Sequence, residues 1–211
     1  MPHVLIATSN PGKLRDFAGA AAPHNLEVRG LPESVLAQSV VEDGATFEAN
    51  ARKKAEHYSR LVPGELVLAD DSGLEVDALG GAPGVRSARY AATAAGHANS
   101  SDAANNARLL RELQARADDR RSARFVCVLA AARDGRTLAS FRGEAEGRIL
   151  NAARGSEGFG YDPLFLVPAL GKTFAELSPR EKAHHSHRGA AFREFLEWYE
   201  KPTTDDRRPK T

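Results

Sequence analysis

Short apolar runs alternate with helically periodic stretches through the N-terminal part of the chain, and this alternation restricts the fold more than any other feature. His3–Thr8 reads as a strand, Gly12–Ala22 as a helix and Leu26–Leu31 as a second strand. In Thr46–Leu61, Phe47, Ala51, Ala55 and Tyr58 recur at helical spacing until Pro63-Gly64 stops the pattern. Leu66–Ala69 is a short buried strand. Leu74–Leu79 sets Leu74, Val76 and Ala78 against Glu75 and Asp77, as a half-exposed strand does. Gly80, Gly81, Pro83 and Gly84 then make a loop. Asp102–Ala117 is a helix. Ala123–Arg133 is a long apolar strand that Asp134-Gly135 turns into Thr137–Gly143. Ser178-Pro179-Arg180-Glu181 is a capping box with proline at the first helical position, opening a helical region to Tyr199. Early strand–helix interleaving followed by a hairpin predicts an α/β fold on a mixed sheet, not a purely parallel one.

The 211 residues suffice for one large domain or two closely joined lobes. A net charge of +1 lacks the global signature of a polyanion binder, so a small anionic ligand has to be met by local Lys and Arg. The only cysteine, Cys127, sits in an apolar run and reads as a buried small hydrophobe; no disulfide can form within the chain. No apolar run approaches the roughly 18 residues of a membrane span, and MPHVLIATSN lacks the features of a signal peptide. The expectation is a soluble cytoplasmic protein whose polar residues 200–211 form a flexible tail.

Five constellations carry chemistry. Thr8-Ser9-Asn10-Pro11-Gly12-Lys13 follows a strand and opens a helix, where exposed backbone N–H groups and the Lys13 charge favour an anion; an ordinary strand–helix turn fits too. Glu42-Asp43-Gly44 precedes the helix bearing Phe47, Asn50 and Lys54. It reads either as dipole compensation or as a hard carboxylate for Mg2+ with Lys54 facing a phosphate. Asp70-Asp71-Ser72-Gly73 ends an apolar run. Successive strand residues point to opposite faces, so the two aspartates can share a site only if a turn begins at Ser72-Gly73. One could then hold Mg2+ and one could take a proton from an attacking water, although a capped turn explains the same residues. Gly158-Phe159-Gly160-Tyr161-Asp162-Pro163 offers aromatic faces for stacking on a base, or for core packing. Lys182, His184, His185, His187 and Arg188 fit a phosphate and a base edge better than zinc, with Ser186 able to re-cap a second helix at Gly189.

In this order the motifs closely resemble the Ham1-like, or RdgB-type, purine nucleoside triphosphate pyrophosphatases. The carrying residues are TSNPGK (8–13), ED-G-x-TF-x-x-NA-x-x-KA (42–55), ADDSGLEVDALGGAPGVRSARYA (69–91), EGFGYDPLF (157–165) and SPREKAHHSHRG (178–189). The resemblance implies an elongated mixed sheet with flanking helices, Maf- and Ham1-like, with two lobes around a central cleft within residues 1–199. It implies hydrolysis of noncanonical purine triphosphates (ITP, dITP, XTP) to the monophosphate and pyrophosphate with Mg2+, or Mn2+ in its place, by a homodimer with no stable nucleic-acid complex and no membrane association. Thr8, Ser9, Asn10, Pro11, Gly12 and Lys13 would then hold the triphosphate, with Lys54. Glu42 and Asp71 would bind the metal with Asp70 in support, and Asp71 would accept the proton. Ser72 would contact substrate, Phe159, Gly160, Tyr161 and Asp162 would line the base pocket, and Lys182, His187 and Arg188 would contact the nucleotide. Two departures stand out: Glu48 lies one place earlier than the acidic residue many relatives carry before the Asn, and His184-His185 is an extra pair. A Maf-like pyrophosphatase with another base preference, or a non-catalytic nucleotide- or RNA-binding protein, are the competing readings.

Overall fold

The computed structural model describes residues 2–92, 99–116 and 120–201. The expected flexible tail lies, but for its first residues, outside the described residues. Seven strands form one mixed sheet in the order β2-β1-β3-β4-β5-β6-β7. The strands are β1 (His3–Ile6), β2 (Glu27–Gly30), β3 (Val67–Val76), β4 (Ser122–Arg133), β5 (Arg136–Ile149), β6 (Phe165–Val167) and β7 (Lys172–Thr173). β1 runs parallel to β2 and β3, and every later pairing is antiparallel. The helices are α1 (Pro11–Ala21), α2 (Glu33–Leu36), α3 (Phe47–Leu61), α4 (Asp102–Gln114), α5 (Pro179–His185) and α6 (His187–Glu200). Ser178 closes the expected capping box with Glu181, and Ser186 breaks the helix and re-caps α6 through the Gly189 amide. Asp134 and Gly135 both take positive φ at the β4–β5 hairpin, as a two-residue turn of that type needs.

β3 departs from expectation. No turn begins at Ser72-Gly73. The strand runs unbroken from Val67 to Val76 because β4, twelve residues long, pairs with all of it, placing Asp70 opposite Leu129 and Asp71 opposite Val128. A continuous ladder outweighs a local turn propensity. Asp70 and Asp71 therefore do point to opposite faces.

That alternation organises the core. On one face Leu66 and Leu68 pack with Cys127, Leu129, Phe17, Phe192 and Phe195 under α1 and α6. Further along the same face, Leu74 and Val76 pack with Phe125, Phe165, Phe174 and Leu109. Between these two apolar clusters the residues that the strand's alternation puts on this face are Asp70 and Ser72. On the opposite face Val67 and Ala69 pack with Val128, Ala130 and α3, and the next position is Asp71. β1 ends at Ile6, opposite Leu68, so the β3 edge has no strand neighbour among the described residues around Asp70 and Asp71, before residues 82–87 take up Leu74 to Val76. A cleft of about 380 Å3 opens there, past the carboxyl end of β1, lined by residues of both faces.

Candidate active site

The turn from β1 into α1 is organised by its own side chains. Asn10 Oδ1 accepts from the Gly12 and Lys13 amides at 2.8 and 3.2 Å, and Thr8 Oγ1 accepts from the Asn10 amide at 3.1 Å. The helix-start amides expected to face an anion are thus already engaged. What this turn contributes as a charge is Lys13, whose Nζ lies 2.9 Å from Asp70 Oδ2.

The two aspartates have different surroundings. Asp70 is 1% exposed. Its Oδ2 takes Lys13, the Ser72 hydroxyl at 2.9 Å and, at 3.7 Å, Arg188 Nε, while Oδ1 is buried with no hydrogen-bond partner among the described residues. Burial opposes its charge, but Lys13, Arg188 and Lys54 outweigh burial and hold the carboxyl well below its ordinary value. Asp71 goes the other way. Burial lifts its pKa, and Lys54, Lys13 and a 2.9 Å hydrogen bond from Asn50 Nδ2 only partly offset that. Its Oδ1 accepts the Ser72 amide at 3.0 Å. Neighbouring carboxyls whose surroundings drive their pKa values apart are suited to different tasks.

Lys54 joins the free edge of β3 to the loop before α3. Its Nζ lies 3.0 Å from Glu42 Oε2 and 3.9 Å from Asp71 Oδ1, and donates to the Asp70 carbonyl. Burial disfavours its charge, but Asp71, Asp70 and Glu42 prevail and its pKa is raised. Glu42 and Asp71 are thus both drawn to the Lys54 ammonium. No group of three His, Cys, Asp or Glu side chains able to hold a metal occurs among the described residues. Asp70, on the other face and tied to cations, does not join the pair.

At the far end of the cleft Phe159 lies over α1. A Cβ on Gly12 would come within 2.5 Å of its ring, so only glycine admits this contact. Lys182 Nζ and Arg188 Cζ each stand 5.0 Å from the ring centroid. Asp162 Oδ2 accepts from the Phe159 amide at 2.9 Å and from Lys182 at 2.8 Å. Tyr161 is bound into the second apolar cluster, its hydroxyl donating to the Ser87 carbonyl. His187 is buried and stacked on Phe125, centroids 4.7 Å apart, and neither ring nitrogen has a hydrogen-bond partner among the described residues. Burial first, then Arg188 and Lys182, depress its pKa well below 6.5, so the ring is neutral. Arg188 gives one terminal nitrogen to Asp16 and the other to Ser72, while Nε, 3.7 Å from Asp70, has no hydrogen bond among the described residues.

The cleft therefore gathers residues from all five sequence constellations, while His184 and His185 are exposed and line none of it. Sequence reasoning overlooked Asp16, which sits between Lys182 (3.4 Å) and Arg188 (3.2 Å), and it gave Asn50 no role. Asn50 grips both Gly44 and Asp71, and so ties the Glu42 loop to β3. Asp16 follows Lys13 by three residues, a spacing that puts the two on one helix face.

The family model described as "Ham1 family" matches residues 4–198. The chain belongs to the Ham1 family. A dITP/XTP pyrophosphatase of Acidobacterium capsulatum is 52% identical, the match covering 92% of this chain and 96% of that protein. Among solved structures, the Ham1 protein of Staphylococcus aureus superposes with a TM-score of 0.77 at 41% identity, over 94% of this chain and 98% of that one. A HAM1 protein from Coxiella burnetii gives 0.79 at 37% identity with the same coverage. The α/β fold described above is shared with these Ham1 structures.

Proposed function

We propose that this chain is a Mg2+-dependent pyrophosphatase that converts ITP, dITP and XTP to the nucleoside monophosphate and pyrophosphate, and so removes deaminated purines from the nucleotide pool. The observation that carries the proposal is the joining, in one cleft, of a lysine-bridged carboxylate pair to the Phe159 ring, which has Arg188 beside it, and to the buried His187. The relatives' name, dITP/XTP pyrophosphatase, supports the choice of substrate.

Glu42 and Asp71 would hold Mg2+, which when bound would neutralise phosphate charge alongside the lysines. Asp71, its pKa raised and its orientation fixed by Asn50, takes a proton from water as the water oxygen bonds to the α-phosphorus. The bond from that phosphorus to the bridging oxygen breaks, and pyrophosphate leaves with the electron pair. Lys13, held by Asp70, meets the developing negative charge with little reorganisation, whereas Lys182, paired with Asp162 and Asp16 beside Phe159, does not line the cleft. Thr8, Ser9 and the start of α1 border the phosphates, with Asn10 and Pro11 shaping that turn. Phe159 stacks on the base. The 6-oxo group accepts from Arg188 or from neutral His187, whereas an adenine amino group would leave such a donor buried and unpaired. A mismatch of that kind discriminates far better than size alone.

The test is turnover of ITP, dITP, XTP and GTP with and without Mg2+, with all products resolved. The proposal expects equimolar monophosphate and pyrophosphate from the first three and weak turnover of GTP. Release of orthophosphate and a diphosphate, or equal use of GTP and ITP, would overturn it.

A further inference from the structure

Phe159 has a weakness as a base platform. It stands between Gly158 and Gly160, both at positive φ, the backbone conformation that glycine adopts freely and that leaves the unliganded chain the most freedom to lose. Its own turn supplies two local constraints: the Asp162 carboxylate on the Phe159 amide, and the Asp162 amide on the Phe159 carbonyl at 3.2 Å. A third constraint comes from α4, more than fifty residues away in sequence. Asp102 Oδ2 accepts from the Gly160 amide at 2.7 Å, and Asn106 Nδ2 donates to the Gly160 carbonyl at 3.0 Å. Both backbone polar groups of the residue next to Phe159 are therefore held by one helical turn.

α4 is a firm support. Leu109 and Leu113 bury its inner face in the second apolar cluster. Ser101 caps its first turn, and Asn105 accepts from the Ala91 amide and donates to the Ala88 carbonyl. The adjacent asparagines thus divide the work, with Asn105 anchoring the helix and Asn106 reaching the loop. Asparagine is a poor choice for a helix interior on propensity alone, so a tertiary role accounts for the pair.

We infer that the first turn of α4 is a positioning clamp for the base-stacking ring, with Asp102 and Asn106 acting through Gly160. The inference rests on the assignment of Phe159 to the base. Fixing the loop before the nucleotide arrives lowers the ordering cost charged to binding. Loss of the clamp should therefore weaken nucleotide capture and leave the chemical step untouched.

The experiment compares kcat, KM for ITP and thermal midpoint in Asp102→Ala, Asn106→Ala, Asp102→Asn and Phe159→Ala. The clamp predicts at least a fivefold rise in KM for both α4 alanine variants, with kcat within twofold and the midpoint little changed. Asp102→Asn should restore KM, because its side-chain oxygen accepts the same amide. Any other pattern in the α4 variants overturns the clamp. Phe159→Ala separates the two claims. If it raises KM while the α4 variants do not, the clamp alone fails; if it leaves KM unchanged, the base assignment fails and takes the clamp with it.

Discussion

Replacing Asp70 and Asp71 one at a time by asparagine should separate stability from activity. Asp70 is 1% exposed and compensates Lys13 at 2.9 Å and Arg188 at 3.7 Å. Removing one partner of a buried ion pair costs about 3–5 kcal/mol, because the other charge stays buried. Lys13 keeps some contact with solvent, its side chain being 18% exposed, and Arg188 retains Asp16. The lower end, about 3 kcal/mol, therefore applies, which for a chain of this size lowers the thermal midpoint by about 6–12 °C. Asp71→Asn removes a charge that burial already disfavours, and Lys54 keeps Glu42 and the Asp70 carbonyl. Its stability cost should stay near 1 kcal/mol, while loss of the proton acceptor lowers kcat by about 10²–10⁴-fold. Scanning fluorimetry of the metal-free variants, beside a pyrophosphate-release assay, reads both quantities. An Asp70→Asn protein as stable as the parent, or an Asp71→Asn protein of full activity, would refute the division of roles.

His187 gives a pH test. Its folded pKa lies below 6.5, so as pH falls through that value the unfolded chain gains a proton that the folded chain refuses, and stability present above pH 6.5 is lost. His187→Gln should therefore lessen the fall of the thermal midpoint as pH drops below 6.5; an unchanged slope would refute a buried neutral ring. For Phe159→Ala, a stacking energy of about 1–3 kcal/mol predicts a rise of about 5- to 150-fold in KM for ITP with kcat little altered. A fall in kcat alone would place the ring elsewhere.

The sequence made the α/β class legible because the first strands and α3 have strong period and clear stops. Its errors came where tertiary pairing prevails over local chemistry. Glu144-Ala145-Glu146-Gly147 has little strand propensity, yet β5 runs to Ile149 because β4 pairs with it along its length. β6 and β7, at three and two residues, are too short to show a period. In the site, the aspartates, lysines and Phe159 were legible as motifs. The opposite facing of Asp70 and Asp71 was foreseen for a regular strand, but how both reach one cleft was not, since it depends on β1 stopping opposite Leu68 and leaving an open edge. Asn50, Asp102 and Asn106 act by gripping backbone or a carboxylate distant in sequence, and such partners leave no local pattern.

The most direct measurement of the central claim is kcat/KM for ITP against ATP, two purines that differ in the 6-substituent and in the protonation of the neighbouring ring nitrogen. With buried donors on His187 and Arg188 left unpaired by an amino group, the account predicts a preference for ITP of about 100-fold or more, with pyrophosphate as the product. Equal kcat/KM for the two nucleotides would contradict it.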